Sequence, residues 1–371
     1  MNLSYWEIKQ WLTKVDFTIV GSGIVGLSCA LSLRKKYPKS QILVLEKGVF
    51  PQGASTKNAG FACFGSLSEL LDDLNSHTEE EIVQLVKKRV AGLILLRKTL
   101  GDKEIKYKNY GGYELFMKND PEFFEACAEN RKRINKLLKP FFGSNVFKVK
   151  KNVFGFKNIL DHYIFNSFEG QIDTGKMMNS LLKKTCKKNI KILNGISVDS
   201  YQDNGSSVEI KTNVFQFKTN KLLIASNGFA STLIDEDVIP ARAQVLITKP
   251  IKKLPVKGTF HLEKGFYYFR NTDNRILLGG GRNLDIKGET TTELGQTTLI
   301  QNQLEKLLKT VILPDIPFEI EHRWSGIMGV GNTKTPIVKN ISENVLCGIR
   351  MGGMGVAIGS LIGNDLANLT K

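Results

Sequence analysis

Three glycines and one carboxylate have the residue types and the spacing of a nucleotide-binding site. Gly21, Gly23 and Gly26 follow the apolar run 17–20 in GxGxxG order, and Glu46 comes twenty residues after Gly26. In such a pattern the glycines permit a tight turn, a close approach of a pyrophosphate and close packing of a helix on a strand. The helix N-terminus attracts the phosphate charge, and the acid accepts hydrogen bonds from a ribose. The pattern therefore predicts a dinucleotide site.

The elements that must position these residues can be read from the same stretch. A strand at 17–20 leads through the glycines into an apolar helix closed by Pro38, and "QILVLEKG" (41–48) reads as a second buried strand that ends in Glu46. Strand, turn, helix and strand form a βαβ unit, for which a chance glycine turn is a poor explanation. The motif leaves NAD and FAD open. We expect further dinucleotide contacts from Ser22, Ile24, Val25 and Lys47.

The next segment helps to choose between NAD and FAD. "FPQGASTKNAGFACFG" (50–65) is small, polar and glycine-rich. It resembles the loop of the D-amino-acid oxidase-like FAD-dependent oxidoreductases, the group with glycine oxidase and sarcosine oxidase, which carry "AS..NAG" there. The resemblance implies FAD, with the loop lying along the ribityl chain and the flavin. The matching positions are Ser55, Thr56, Asn58, Ala59 and Gly60.

The resemblance continues in order through the chain. Matching stretches are "EGQIDTGKMMNSLLKK", "KLLIASNGFAS", "IPARAQVLIT", "GFYYFRNTDNRILLGGG", "HRWSGIMGVGNTKTPIV" and "GIRMGGMGVAIGS". It implies a backbone contact to adenine from Val198, and cofactor contacts from a strand end and from the last loop. Those residues are Ser226, Asn227, Gly228, Gly352, Gly353, Met354, Gly355 and Val356. The run after this loop predicts a helix whose N-terminus points at the flavin, and Gly355, Gly359 and Gly363 predict a close helix contact.

The order of these stretches implies an α/β fold: a Rossmann-like FAD-binding domain of the glutathione-reductase type, with an inserted α+β substrate domain built on an antiparallel sheet. We expect the FAD domain to comprise residues 1–75, 166–240 and 323–371. The substrate domain would comprise 76–165 and 241–322. Within it, Thr78 and Glu81 predict a capping box at the start of a helix.

The family reaction takes a hydride from the carbon beside an amine to flavin N5, after which the imine is hydrolysed. The resemblance places Tyr267 at a substrate-facing hairpin position, with core packing as the alternative. Glycine-oxidase-like members hold the substrate carboxylate with an arginine, where this chain has Met328. Either Arg350, with Met351 beside it in the last loop, holds the carboxylate instead, or the substrate is not a simple amino acid.

Other departures bear on the flavin and on its oxidant. The returning strand has no cysteine for covalent attachment, so we expect FAD to be bound non-covalently. Leu277 stands where sarcosine-oxidase-like members have an oxygen-activating lysine, which leaves oxidase and dehydrogenase both open. Arg323 reads as a structural arginine, Cys63 as a small buried residue, and the histidines show no metal-ligand spacing.

Composition limits the remaining possibilities. The 371 residues carry 42% hydrophobic and 24% charged residues and a net charge of +16. No apolar run reaches the ~18 residues of a membrane span, no secretory signal is recognised, and five scattered cysteines indicate no disulfide framework. We therefore expect a cytoplasmic protein. The charge fits lysines on solvated faces, as in "KKTCKKNIK" (183–191), better than an RNA partner.

The leading prediction is an FAD-dependent oxidase or dehydrogenase of small amines or amino acids. A tRNA-modifying oxidase resembling the oxidoreductase domain of the MnmC enzymes is the first alternative. A non-catalytic or NAD-binding Rossmann protein is the second.

Overall fold

The computed structural model describes residues 2–370. The helices are α1 (Tyr5–Glu7), α2 (Ile24–Lys36), α3 (Ala54–Lys57), α4 (Leu67–Asp73), α5 (Glu79–Leu100), α6 (Pro121–Phe142), α7 (Thr174–Lys187), α8 (Thr298–Leu307) and α9 (Gly355–Asn368). The strands are β1 (Val15–Val20), β2 (Ile42–Glu46), β3 (Phe61–Ala62), β4 (Gly112–Glu114), β5 (Phe147–Lys151), β6 (His162–Asn166), β7 (Gly170–Gln171), β8 (Lys191–Asn194), β9 (Val198–Asp203), β10 (Val208–Thr212), β11 (Gln216–Ile224), β12 (Ile239–Thr248), β13 (Thr259–Leu262), β14 (Tyr267–Thr272), β15 (Arg275–Gly280), β16 (Ile320–Val330), β17 (Ile337–Asn340) and β18 (Val345–Ile349). None of these helices combines the length and the apolarity needed to cross a lipid bilayer.

The first sheet carries the predicted dinucleotide motif. Its strand order is β17-β18-β11-β1-β2-β8, and all neighbours from β18 to β8 are parallel. Strands β9 and β10 continue from β11 as an antiparallel meander. All five residues of β2 are buried. This burial agrees with its sequence, a continuous apolar run that ends in an acid.

Layers on both faces of this sheet bury it. One core joins α2 and α9 to β1 and β2, and another joins the sheet to the β9–β10 meander. Helix α9 packs directly on α2: a Cβ on Gly359 would lie 2.9 Å from Cγ2 of Ile24, and one on Gly363 would overlap the carbonyl of Val25. The predicted close helix contact is therefore confirmed at Gly359 and Gly363, whereas a Cβ on Gly355 would meet Cβ of Met351 at 3.9 Å and no atom of α2.

The second sheet has the order β16-β12-β15-β14-β13-β4-β6-β5, and only its β13–β4 pair is parallel. Helix α8 covers one face, where an apolar core includes Phe260, Phe269, Ile300 and Leu304. The two sheets together confirm the predicted fold class of a Rossmann-like domain joined to a largely antiparallel one.

The division of the chain between the two domains stays a prediction, and two of the predicted boundaries fall within strands. Strands β12 and β16 pair along their whole length in the second sheet, so the predicted boundaries at 240 and 323 fall inside them. Helix α5 lies in the predicted substrate domain, yet Gly92 packs against the backbone of Ala357 in α9. The capping box of α5, formed by Thr78 and Glu81, is confirmed.

Candidate active site

The turn between β1 and α2 has the geometry that its glycines predict. Gly21 has φ +102° and its N–H donates to the carbonyl of Leu45 at 2.8 Å. A Cβ on Gly21 would lie 2.9 Å from the carbonyl oxygen of Ala225, and a Cβ on Gly26 would overlap the carbonyl of Gly21. Only glycine allows strand, turn and helix to approach this closely. Gly23 is the N-cap of α2, so Ile24 and Val25 form its first turn.

Glu46 lies buried beside this turn. Its Oε2 accepts from the backbone N–H of Ser22 at 3.0 Å and from the Ser22 hydroxyl at 2.7 Å. Its Oε1 accepts from the N–H of Gly48 at 3.0 Å and of Gln52 at 3.3 Å. The structure thus fixes the carboxylate at the end of β2. Lys47 follows it and is exposed, and Val198 begins β9 two residues after Ile196, whose N–H donates to the carbonyl of Glu46 at 2.9 Å.

The loop at 53–60 is fixed at both ends. The Ser55 hydroxyl accepts from the N–H of Ile24 at 2.9 Å and so lies at the N-terminus of α2. Oδ1 of Asn58 accepts from the N–H of Gly60 at 2.9 Å and from the Thr174 hydroxyl at 3.0 Å. The Thr56 hydroxyl donates to the carbonyl of Pro51 at 2.6 Å. The predicted flavin loop therefore contacts the N-terminus of α2 at one end and Thr174 of α7 at the other.

Arg270 ties this loop to the second sheet. Its Nε donates to the carbonyl of Ala59, and its Nη2 donates to the carbonyl of Ile172 at 2.9 Å. Burial lowers the pKa of Arg270 to about 10. Sequence reasoning did not select Arg270, because its two carbonyl partners lie far away in the chain.

The last loop meets the end of β11. Asn227 has φ +48°, and its Oδ1 accepts from the N–H of Met351 at 3.1 Å. Ser226 precedes it, and among residues 2–370 its buried hydroxyl has no hydrogen-bond partner. A Cβ on Gly228 would overlap the carbonyl of Met328. These residues therefore lie together, as the resemblance implied.

Helix α9 begins beyond this loop with an uncapped N-terminus. Gly352 and Gly353 both have positive φ, and Met354 is the N-cap but makes no side-chain capping bond. Gly355 and Val356 are the first residues of the helix. Its first N–H groups are the donors that a helix leaves unpaired, and they favour a nearby negative charge.

Of the residues expected to contact substrate, Tyr267 lies on the face of the second sheet turned toward α8. It is 1% exposed and packs in the core that contains Phe269 and Ile300. Burial raises its pKa to about 12. This placement is the core alternative for Tyr267, not the substrate-facing one.

Tyr268 occupies the opposite face, with Arg270. It packs with Ala59, Leu277 and Trp324 in an apolar cluster, and its ring meets Phe61 edge-on at 5.7 Å between centroids. Burial raises the pKa of Tyr268 to about 12, so its hydroxyl stays protonated. Alternation along a strand puts Tyr267 and Tyr268 on opposite faces, but the side of the sheet facing the flavin loop depends on how the sheet packs.

All three guanidinium nitrogens of Arg350 bond other residues of the protein. Its Nη1 lies 2.5 Å from Oδ2 of Asp237, its Nη2 donates to the Thr333 hydroxyl at 3.0 Å, and its Nε donates to the carbonyl of Thr335 at 2.9 Å. Met351 is buried in the core of the first sheet. The structure therefore gives no support to Arg350 as a carboxylate clamp, and it assigns Arg350 to holding the 333–335 loop. Arg323 pairs with Glu305 on α8 at 2.6 Å, the structural role expected for it.

A buried polar cluster lies beside Phe61, and sequence reasoning missed it. Oε1 of Glu169 lies 2.5 Å from Nε2 of His261 and accepts from the Thr259 hydroxyl at 2.9 Å. The ring of Phe61 meets His261 edge-on at 5.2 Å. Burial lowers the pKa of His261, but the charge and hydrogen bond of Glu169 outweigh this effect, and the pKa rises to about 9. His261 and Glu169 are 92 residues apart in the chain, so no local pattern could have revealed the pair.

Cys63 adjoins this pair. Its sulfur, the carboxylate of Glu169 and the imidazole of His261 have ligand atoms within 4.8 Å of one another. Burial raises the pKa of the Cys63 thiol far above its ordinary value, and the nearby carboxylates raise it further. Oε1 of Glu169 and Nε2 of His261 already bond each other, so we describe the cluster as a hydrogen-bonding one. The Cys63 sulfur lies 4.0 Å from that of Met354 at the start of α9.

A parallel sheet whose first crossover carries three glycines, and whose second strand ends in a buried carboxylate, defines a dinucleotide-binding enzyme fold of the Rossmann type. The family of FAD dependent oxidoreductases, DAO, matches residues 16–369. The chain therefore belongs to this family, whose cofactor is FAD.

Individual relatives are distant. The probable oxidoreductase OrdL of Haemophilus influenzae is 20% identical over 95% of this chain and 82% of its own length. The crystal structure of glycine oxidase from Geobacillus kaustophilus has a TM-score of 0.75 and 17% identity, covering 96% of this chain and 95% of that one. The crystal structure of L-proline dehydrogenase from P. horikoshii has a TM-score of 0.71 and 18% identity, covering 96% of this chain and 93% of that one. At these identities the structures show a shared fold.

The residues present fit FAD. The glycine turn, the uncapped N-terminus of α9 and the Ser226 hydroxyl, which has no partner within residues 2–370, offer polar groups. The apolar cluster around Tyr268 includes Ala59 of the predicted flavin loop, which Arg270 holds. A cofactor with a charged pyrophosphate and a flat ring would find both kinds of surface here.

Proposed function

We propose that the protein oxidises the carbon–nitrogen bond of a small amine or amino acid at this site. The observation that carries the proposal is the cluster of Ala59, Phe61, Tyr268, Leu277 and Trp324, which joins the predicted flavin loop to the second sheet. Oxidation beside an amine needs an apolar, water-poor surface against the reacting carbon. Bound FAD supplies the acceptor that takes a hydride from that carbon, after which water hydrolyses the imine.

The chain's own residues position and shield the reaction. Arg270 fixes the backbone of Ala59 from the second sheet, while Tyr268 and Phe61 exclude water. Glu169 and His261 form the polar end of the surface and hold a proton at Nε2 of His261. Arg350 takes no part, because its guanidinium is bound by Asp237 and the 333–335 loop. We therefore propose that recognition of the amine dominates over recognition of a carboxylate.

An RNA substrate gains no support from the charge distribution. The basic groove formed by Lys187, Lys188 and Lys191 lies near the first residue of β2. The cofactor turn lies at the opposite ends of the parallel strands, beside Val20 and Glu46. A nucleic acid bound in the groove would therefore lie at the end of the sheet away from the cofactor turn.

The proposal is tested by spectroscopy on the purified protein. Bound flavin gives an absorption band near ~450 nm. Under anaerobic conditions this band should bleach with some primary or secondary amines, and removing the carboxylate from a substrate should reduce bleaching little. A protein that binds flavin but is bleached by no amine or amino acid would overturn the proposed reaction.

A further inference from the structure

Residues 3–14 form an aromatic surface that the dinucleotide site does not use. Helix α1 continues as a wider turn over Ile8–Leu12, and Leu12 is buried. Tyr5, Trp6 and Ile8 are instead 64%, 71% and 45% exposed. This segment lies entirely outside the family match, which begins at residue 16. The family fold therefore does not account for these exposed side chains.

An open basic groove of about 420 Å³ lies beside this segment, between the ends of α2 and α7. Its cations are Arg34, Lys39, Lys187, Lys188 and Lys191, and none of the residues that line it is acidic. Arg34 donates to the backbone carbonyls of Lys188 and Ser40, so no carboxylate neutralises it. The groove concentrates positive charge that is free to meet an anionic partner.

Two residues of the groove contact the aromatic segment. Lys191 lines the groove, donates to the carbonyl of Gln10, and has its Nζ 5.3 Å from the centroid of the Trp11 ring. Gln41 also lines the groove, and its Nε2 donates to the carbonyl of Trp11 at 3.2 Å. The segment that carries the exposed rings therefore adjoins the groove, and we call the two together the aromatic–basic face (residues 5–9 and the groove cations).

We propose that the aromatic–basic face binds the surface of an anionic phospholipid bilayer. Tryptophan and tyrosine favour the headgroup level of a membrane, and lysines beside them are attracted to anionic lipids. Single-stranded RNA fits less well, because base stacking needs a free ring face. The rings of Tyr5 and Trp6 meet edge-on at 5.1 Å, and Nζ of Lys9 lies 5.5 and 5.7 Å from their centroids.

The face lies at the end of the first sheet opposite the cofactor turn, since Ile42 at the start of β2 lines the groove. Docking would leave the predicted active site open to solvent. The proposal does not depend on the substrate proposed above.

The test is co-sedimentation of the full-length, flavin-loaded protein with vesicles. We expect binding to phosphatidylcholine mixed with phosphatidylglycerol, little binding to phosphatidylcholine alone, and loss of binding at ~0.5 M salt. Lys187→Ser with Lys188→Ser, and Trp6→Ser with Ile8→Ser, should each weaken binding about tenfold or more. The matched control is Lys148→Ser with Val153→Ser, which removes an exposed lysine and an exposed apolar residue from the second domain. All three double variants should keep the circular dichroism spectrum and the flavin content of the unaltered protein.

Tryptophan fluorescence gives an independent readout. Emission should shift to shorter wavelength on addition of anionic vesicles, and Trp6→Phe should abolish the shift although Trp11 and Trp324 remain. Equal binding to neutral vesicles, no binding, or equal losses in the control variant would overturn the proposal. So would binding of single-stranded RNA, but not of vesicles, that is lost in the Lys187 and Lys188 variant, because the partner would then be a nucleic acid.

Discussion

Nε2 of His261 lies 2.5 Å from Oε1 of Glu169, and both side chains are almost fully buried. Strand β13 carries the imidazole, and the segment before β7 carries the carboxylate. Breaking such a pair leaves an uncompensated charge in the protein interior, which is costly. The pair is therefore both the polar end of the proposed site and a pH-dependent part of the fold.

The first prediction concerns stability as a function of pH. Burial lowers the pKa of His261, but Glu169, with Glu69 and Glu114 nearby, raises it overall from 6.5 to about 9. Because the folded-state pKa is raised, the stabilisation is complete below pH 6.5 and is lost as the pH rises through 9. We expect the free energy of unfolding, measured with urea, to fall by about 1–3 kcal/mol over this range. His261→Gln should make the free energy of unfolding depend less on pH. An unchanged pH dependence in that variant would contradict its assignment to His261.

The second prediction separates the two tyrosines of β14. Tyr268→Ala should lower kcat/KM about tenfold or more, because it opens the apolar surface proposed to exclude water from the reacting carbon. Tyr267→Phe should leave kcat/KM nearly unchanged, because the ring stays in the core between the second sheet and α8. Steady-state kinetics and thermal unfolding of both variants decide the point. If Tyr267→Phe had the larger kinetic effect, the assignment of the two faces would be wrong.

The third prediction concerns the glycine turn. Gly26→Ala places a methyl group on the carbonyl of Gly21, so the helix must move away from the strand. We expect the purified variant to lose most of its flavin, as measured by the ratio of flavin to protein absorbance. Gly53→Ala is the matched control in the neighbouring loop, because a Cβ there has no neighbour within 4 Å. Equal flavin content in both variants would argue against a cofactor held at this turn.

The fourth prediction concerns Arg350. Arg350→Met should lower the free energy of unfolding by about 2–4 kcal/mol, because Asp237 and the 333–335 loop lose a largely buried partner. Asp237→Asn should lower the free energy of unfolding by a similar amount. The double variant should lower it by less than the sum of the two single effects, because both remove the same interaction. The effect on kcat/KM should be equal for a substrate with a carboxylate and for its carboxylate-free analogue. A selective loss for the carboxylate substrate would restore the clamp that the sequence suggested.

The sequence by itself determined the dinucleotide half of the molecule. Its strands, its glycine turn and Glu46 lie within one short stretch, and local sterics dictate their geometry. The Gly359 and Gly363 contact with α2 was predictable for a similar reason, since spacing along one helix defines one face. Motif order along the chain was enough to indicate the family and its cofactor.

Only the tertiary structure decided which residues surround the proposed substrate. Alternation along β14 separates Tyr267 from Tyr268, but packing of the sheet against α8 sets which of them faces the flavin loop. Arg350 meets Asp237, and His261 meets Glu169, across 113 and 92 residues of chain. A buried charge takes the partner that the fold brings near, and no local spacing encodes that choice.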